Sequence, residues 1–491
     1  MKETLKIKKE YISTFVSVVL LNFVYVLPII IANRYFNDDL ARSLYGMTGW
    51  NGDGRPLMQL LLQFLGGGSS KAVDVAPLPL ILSVFLISYV LTVYAKENLD
   101  FIKPGVGLTL ALLLFSLNPF MIYSFSYKYD CIGMVLSMCI LIVLFVVPPN
   151  IKWWISLIVS VIVGIVVMML YQPSIGLSVG LCLMGVFLFF IGKKDILKLH
   201  RDIVSLGGVA VGAIIYKVLI SGFFIVEEAG DWRYDAAKTV SFGASAIKQI
   251  LINLYNMLLY VYRYYKNNMS LIYQILILVI AVAAHIYTVY SLRKSIIKML
   301  GVLVMPIVML VGILAPLTLL NEVNVKGRMF FTFGIVLLFF GIEIVLATEN
   351  KKWLGITAII IMALYSYSFM YMYGNASASQ KEYEEYLANS IAKDIDELTS
   401  DYEDNTVTIT IVGDTPRAKE TSMLMETYPA LEEMVPTYIT NSWWLGGSYL
   451  SRFVSKNMQY VEQFEGTRDM VRSNSVYSVY KAEDRIIVEY N

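Results

Sequence analysis

The chain has 491 residues, of which 57% are hydrophobic and 16% charged, with a mean hydropathy of +0.63 and a net charge of +1. A soluble domain carries about 25% charged residues, so this composition excludes an ordinary soluble enzyme. The charge is split: residues 374–491 hold 10 Lys+Arg against 20 Asp+Glu, the first 373 hold 29 against 18, and so acidic a tail excludes nucleic acid as its partner.

Apolar runs recur from Tyr11 to Tyr373, each of about 20 residues and long enough to cross a ~30 Å hydrocarbon core. Eleven spans are predicted, centred near Leu20, Leu86, Leu112, Ile140, Val161, Met184, Gly212, Leu278, Leu310, Leu337 and Ile360. The first follows Lys2, Lys6, Lys8 and Lys9 and has no small-residue cleavage site before Arg34, so it reads as an uncleaved span. With the N-terminus cytoplasmic, sixteen Lys/Arg fall in inside loops and three (Lys128, Lys326, Arg328) in short outside loops. That bias places the C-terminus outside the membrane.

Two outside loops are long, Asn33–Ala76 and Phe223–Met269. Their amphipathic pieces, Pro56–Leu65 and Ala244–Tyr262, suit a membrane interface. Beyond Gly374 a helix carries the stripe Tyr383, Leu387, Ile391, Ile395 and Leu398. A β-rich run (Thr406–Val412), a Gly413–Pro416 turn and a hairpin of Ser475–Lys481 with Arg485–Tyr490 follow. The expected fold is an all-α polytopic membrane protein over 1–373 with a small extracytoplasmic α/β domain over 374–491.

The chemistry-bearing residues gather in the outer loops. Asp38 and Asp39 are adjacent carboxylates just past a span; one could serve as a general base in a half-dry interface. The alternative is a plain helix start in which both pair with Arg42. Gly52, Gly54 and Pro56 form a turn that holds Arg55 beside a helix N-terminus, an arrangement suited to an anion. Arg55 could equally snorkel to lipid headgroups. Lys128 with Asp130, and Lys326 with Arg328, face the same side and could neutralise a lipid phosphate. Gln172 ends the fifth span, either to bond a sugar hydroxyl or simply as a polar helix end before Pro173. His285 is expected to be a neutral hydrogen-bonded residue inside its span, and Glu343 to snorkel to the cytoplasmic end. Cys131, Cys139 and Cys182 all lie in apolar runs, and neither histidine has a ligand-spaced partner, so no metal or other cofactor is expected.

The block Asn37–Gly46, followed by Gly49-Trp50 and Gly54-Arg55-Pro56, resembles the bacterial Gtr-type (type II) glucosyltransferase family. The resemblance continues through Tyr127–Asp130, Tyr171-Gln172-Pro173, the Arg328 loop and the helix around Gln380–Ile395. It implies a GT-C-like multi-span enzyme of the bacterial plasma membrane. Such an enzyme moves a sugar, typically glucose, from undecaprenyl phosphate to a surface polysaccharide on the outer leaflet. The acidic-motif role then falls to Asp38 and Asp39, the donor phosphate to Arg55, Arg328 and Lys128, and substrate contacts to Arg42, Trp50, Asp130 and Gln172. Inversion would need a carboxylate to take the acceptor proton and cations to receive the leaving phosphate. A flippase or transporter of a lipid-linked glycan is the competing reading; it predicts internal repeats and broken spans at the midplane.

Overall fold

Long apolar runs can satisfy their backbone in lipid only as helices, and helices dominate the computed structural model. It describes residues 2–146, 151–225, 238–240, 243–321, 323–403, 405–464, 466–482 and 485–491. Among these, eight helices are long and apolar enough to cross a membrane: Lys9–Ala32, Leu78–Asn98, Trp153–Leu170, Gln172–Phe190, Ile196–Phe223, Leu271–Ser291, Gly327–Ala347 and Glu349–Leu398. A ninth is supplied if Ile296–Leu303 and Met305–Leu319, bent by 48° beside Pro306, count as one span. The predicted centres Leu112 and Ile140 fall in the shorter apolar helices Val106–Ser116 and Cys131–Leu144. At 1.5 Å per residue these reach only roughly 16 and 21 Å. The first is cut short at Asn118-Pro119. Proline cannot continue the ladder, and Asn118 donates to the Phe331 carbonyl (2.7 Å) while accepting from the Phe120 amide (3.1 Å).

The chain divides into two compact units: Met1–Leu27, Thr48–Ser70 and Val75–Met370 form one, and Pro28–Met47, Lys71–Asp74 and Tyr371–Asn491 the other. In the first, the pattern of water-soluble helices is inverted. Helix Trp153–Leu170 turns Ser156, Ser160 and Gly164 inward and leaves Trp153, Ile158 and Ile162 more than half exposed. Its small face meets that of Ile196–Ile215 so closely that a Cβ on Gly212 would stand 2.2 Å from the Val161 carbonyl oxygen. Small residues inside and large apolar residues outside suit a lipid solvent.

Several buried charges in this unit are paired. Lys194 and Arg201, counted by sequence among the solvated inside cations, are both buried against Asp202. Glu343 does not snorkel. It is wholly buried, and both its carboxylate oxygens lie 3.0–3.1 Å from Nδ1 of His285. The other ring nitrogen reaches the carbonyl of Leu303 (3.3 Å), at the bend before Pro306. An acid on another helix 58 positions away explains why the histidine's partner was not visible in sequence.

The second unit holds a five-stranded sheet of β1 (Thr406–Val412), β2 (Asn457–Tyr460), β3 (Asp469–Ser473), β4 (Tyr477–Ala482) and β5 (Arg485–Tyr490) in the order β2-β1-β5-β4-β3. β1 runs parallel to both neighbours, and β4 and β5 form the expected antiparallel pair, with Tyr477 opposite Tyr490. Val407, Ile409 and Ile411 pack on the Leu387–Ile391–Ile395 stripe of the preceding helix. Leu40, from far earlier in the chain, completes that core at 0% exposure.

Candidate functional site

In the first unit, the turn Trp50–Pro56 is fastened by groups from three other segments. Gly54 adopts a left-handed φ of +69°, and a Cβ there would stand 3.1 Å from the Tyr216 hydroxyl. Only glycine suits both conditions. Tyr216 donates to the Gly54 carbonyl, and the Gln172 amide donates to the carbonyls of Gly54 (3.1 Å) and Asp53 (3.3 Å). Gln172 also accepts from Nε of Arg55 (3.2 Å), so its amide braces the turn on both sides. Pro56 opens the helix Pro56–Leu65, as expected, with Leu60 and Phe64 exposed on its outer stripe.

The Arg55 guanidinium lies over the Tyr171 ring at 5.1 Å. Arg328 approaches the same tyrosine from another loop. It donates to the Tyr127 hydroxyl (2.6 Å), and its own carbonyl meets the Tyr171 hydroxyl at 3.5 Å. Burial pushes the Tyr171 phenol above its ordinary pKa, opposed by the charges of Arg328 and Arg55 and reinforced by Asp130. Each half-buried guanidinium thus has its own buried aromatic ring, Arg55 on Tyr171 and Arg328 on Tyr127, and the Tyr171 hydroxyl ties the two through the Arg328 carbonyl. Asp130, itself buried, accepts from the indole N–H of fully buried Trp50 at 2.7 Å. Lys128 is half-buried on the same Tyr127–Asp130 turn, and Lys326 is exposed.

Six of the nine residues singled out by sequence (Trp50, Arg55, Lys128, Asp130, Gln172, Arg328) thus belong to the first unit. Of these, Trp50–Asp130 and Arg55–Gln172 are direct pairs. Sequence reasoning missed Tyr216, whose one signal was a polar ring in an apolar run. It also gave no role to Tyr171 or Tyr127, which hold the two arginines.

Asp38, Asp39 and Arg42 belong to the second unit. The helix Asp39–Tyr45 starts where the helix-start reading placed it, and Asp38 meets Arg42 at 3.8 Å. The two carboxylates differ sharply. The Asp38 side chain is 45% exposed, whereas Asp39 is fully buried and accepts from the Phe36 amide at 3.3 Å. Upstream, Arg34 donates to Glu384 (2.9 Å) and to the Pro436 carbonyl, and lies 4.5 Å over the Tyr438 ring. Burial works against the Arg34 charge, and Glu384 with Tyr438 and Tyr373 together more than offset it. Burial likewise pushes the Tyr438 phenol up; Arg34 opposes, while Glu384 and Asp39 add to the rise.

Among the described residues, no three His, Cys, Asp or Glu side chains gather as metal ligands would. No solved structure matches the chain. Over 97% of its length the chain is 30% identical to an uncharacterized 55.3 kDa protein in the gtrB 5′ region of Salmonella phage P22, covering 98% of that protein. Residues 27–342 match the model of the glucosyl transferase GtrII family. That span takes in Asp38, Asp39, the Trp50–Pro56 turn, Tyr171-Gln172 and Arg328, and on it the chain belongs to the GtrII glucosyl transferase family.

Proposed function

We propose that this protein moves a glucosyl unit from a polyprenyl-phosphate donor to a surface polysaccharide at the outer face of the bacterial plasma membrane. The observation that supports the reading is the placing of two half-buried guanidiniums on linked tyrosines, Arg55 on Tyr171 and Arg328 on Tyr127, with the Tyr171 hydroxyl bonded to the Arg328 carbonyl and Arg55 leading into a helix whose exposed stripe includes Leu60 and Phe64. A lipid phosphate needs cations at a membrane interface with an apolar surface next to them. In this reading Arg55 and Arg328, with Lys128, receive the donor phosphate. Gln172, Trp50 and Asp130 hold the turn that presents Arg55.

The base is Asp38. Of the two carboxylates it is the accessible one, whereas Asp39 is turned inward to the Phe36 amide. Asp38 takes the proton from the attacking acceptor hydroxyl as that oxygen bonds to the anomeric carbon. The bond to the phosphate oxygen breaks on the opposite face, and polyprenyl phosphate leaves with the electron pair, which gives inversion. No metal is required for these steps. Eleven crossings, with the broken segments around Asn118 and Pro306 each counted once, keep the N-terminus cytoplasmic and residues 374–491 outside, in line with the sixteen-to-three bias.

The test is an assay of purified protein with polyprenyl-phosphate glucose and surface polysaccharide, scoring free polyprenyl phosphate and the configuration of the new linkage. Glucose retained on the donor, with the intact lipid crossing liposome bilayers instead, would overturn transfer in favour of transport. Single cysteines at Ser69 and Ser390 should label with an impermeant thiol reagent on intact cells. Protection of both would reverse the orientation.

A further inference from the structure

Nothing in the chemistry above explains why a membrane transferase builds its acidic loop into a separate folded domain. Within residues 33–40, Arg34, Tyr35 and Leu40 are held by the C-terminal part of the second unit. Asn33 and Asn37 both adopt left-handed φ values (+43° and +48°), and they bracket the short segment Arg34–Phe36. Two such residues are costly for a non-glycine backbone and persist where surrounding contacts over-determine them. Arg34, with its side chain 7% exposed, is bound by Glu384 at 0% and by the Pro436 carbonyl. The second oxygen of Glu384 accepts from the Tyr438 amide (2.9 Å) and from the Gln380 side chain (3.2 Å). Tyr438 donates in turn to the Tyr35 carbonyl, and the Tyr35 hydroxyl donates to Asp74 at 2.9 Å. Asp39 closes the turn on Phe36, and Leu40 is locked in the core with Leu387, Ile391 and Tyr449.

The pattern goes beyond ordinary stabilisation. A buried ion pair is a poor source of stability, because desolvation of both charges offsets their attraction, and apolar replacements of both partners are often no worse. What such a buried pair contributes instead is geometry, because its partners are met in one arrangement. Here that geometry ends at Asp38, four residues after Arg34 and outside the core.

We propose that the Arg34–Glu384 pair, closed by Tyr438, is a positioning clamp that sets the Asn33–Asp39 turn so that the Asp38 carboxylate is presented to the acceptor hydroxyl. The C-terminal domain is then part of the transfer machinery. Arg34, Glu384 and Tyr438 are positioning residues, and the inference rests on the base assignment made above.

The experiment measures kcat and KM for polyprenyl-phosphate glucose, with thermal unfolding in detergent, for Glu384→Gln, Tyr438→Phe, Arg34→Lys and the double replacement Arg34→Met/Glu384→Leu. Misplacing a catalytic group by about 1 Å can cost about a hundredfold. The folded Glu384→Gln protein should therefore lose about ten- to a hundredfold in kcat, with donor KM within about threefold of wild type. Tyr438→Phe, which removes one hydroxyl bond to the Tyr35 carbonyl, should lose about three- to tenfold in kcat. Arg34→Lys keeps the charge but not the planar guanidinium that lies over Tyr438 while its Nη2 reaches Glu384 and Pro436, and should rescue only part of the rate. The decisive arm is the double apolar variant, whose unfolding temperature should return toward wild type while kcat stays low. Wild-type kcat in that variant, or in folded Tyr438→Phe if the double variant does not fold, would overturn the clamp. Asp38→Asn separates the two claims. Loss of transfer there with wild-type kcat in the clamp variants sinks the clamp alone, whereas retained transfer in Asp38→Asn sinks the base assignment.

Discussion

The turn that carries Arg55 and the turn that carries Asp38 are held by opposite means. The first rests on neutral donors and aromatic faces: Tyr216 and Gln172 bind its carbonyls, and Tyr171 and Tyr127 lie against the guanidiniums. The second rests on a buried ion pair and a hydrophobic core, with Arg34, Glu384 and Leu40 almost fully enclosed. The first therefore leaves its two cations, Arg55 and Arg328, half-buried rather than enclosed. The second encloses its charges and leaves one carboxylate, Asp38, in reach of solvent. Under the proposed function this contrast has a reason: a cation that binds and releases a phosphate cannot be locked into a buried pair, whereas the frame around a base can be.

Four expectations test this contrast. The largest effect should come from Asp38→Asn, which should lower turnover by about 10²–10⁴ with an unchanged unfolding temperature. Asp39→Asn should instead cost stability before it costs chemistry. Equal losses of turnover in two equally stable proteins would erase the distinction between the carboxylates. Next, Glu384→Ala leaves Arg34 buried without its carboxylate and should destabilise the protein by about 3–5 kcal/mol. Arg55→Ala should change stability by less than about 1 kcal/mol, since its charge is not enclosed. Thermal unfolding of the two variants side by side reads the contrast directly.

Arg55→Ala should show its effect elsewhere, as a loss in donor use of about ten- to a hundredfold, from one charged hydrogen bond worth roughly 1.5–3 kcal/mol. Arg55→Lys should restore part of it. Arg328→Ala and Lys128→Ala, measured at matched protein levels, rank the remaining cations. Unchanged donor dependence in all of them removes the phosphate assignment. The smallest expected effect is that of Gly54→Ala. Its left-handed φ and the nearby Tyr216 hydroxyl should cost about 1–3 kcal/mol of local strain. The Arg55 turn should loosen, visible as a raised donor KM at nearly constant kcat.

Much of this architecture was legible in the sequence, because hydrophobic periodicity is a local property. The apolar runs, the stripe from Tyr383 to Leu398, the strand Thr406–Val412 and the closing hairpin all follow from spacing along the chain. The proline at the start of Pro56–Leu65 and the helix start at Asp38–Asp39 were local as well. The partnerships were not. Glu343 was expected at an interface and lies buried against His285; Gln172 had two sequence readings and instead grips the Arg55 turn. Tyr216 carried no motif at all, yet it decides why residue 54 must be glycine.

Amino-acid order by itself thus determined that most of the chain is apolar helix, where the strand Thr406–Val412 and the closing hairpin lie, and where charge collects, but not the break at Asn118 or the strands Asn457–Tyr460 and Asp469–Ser473. Only the tertiary structure decided which polar groups meet. Arg34 and Glu384 lie 350 positions apart, Tyr216 and Gly54 162, and Arg328 and Tyr127 201. No period of 2 or 3.6 residues encodes such pairs. A buried polar group must find a partner wherever the packing brings one, and packing is a property of the whole chain.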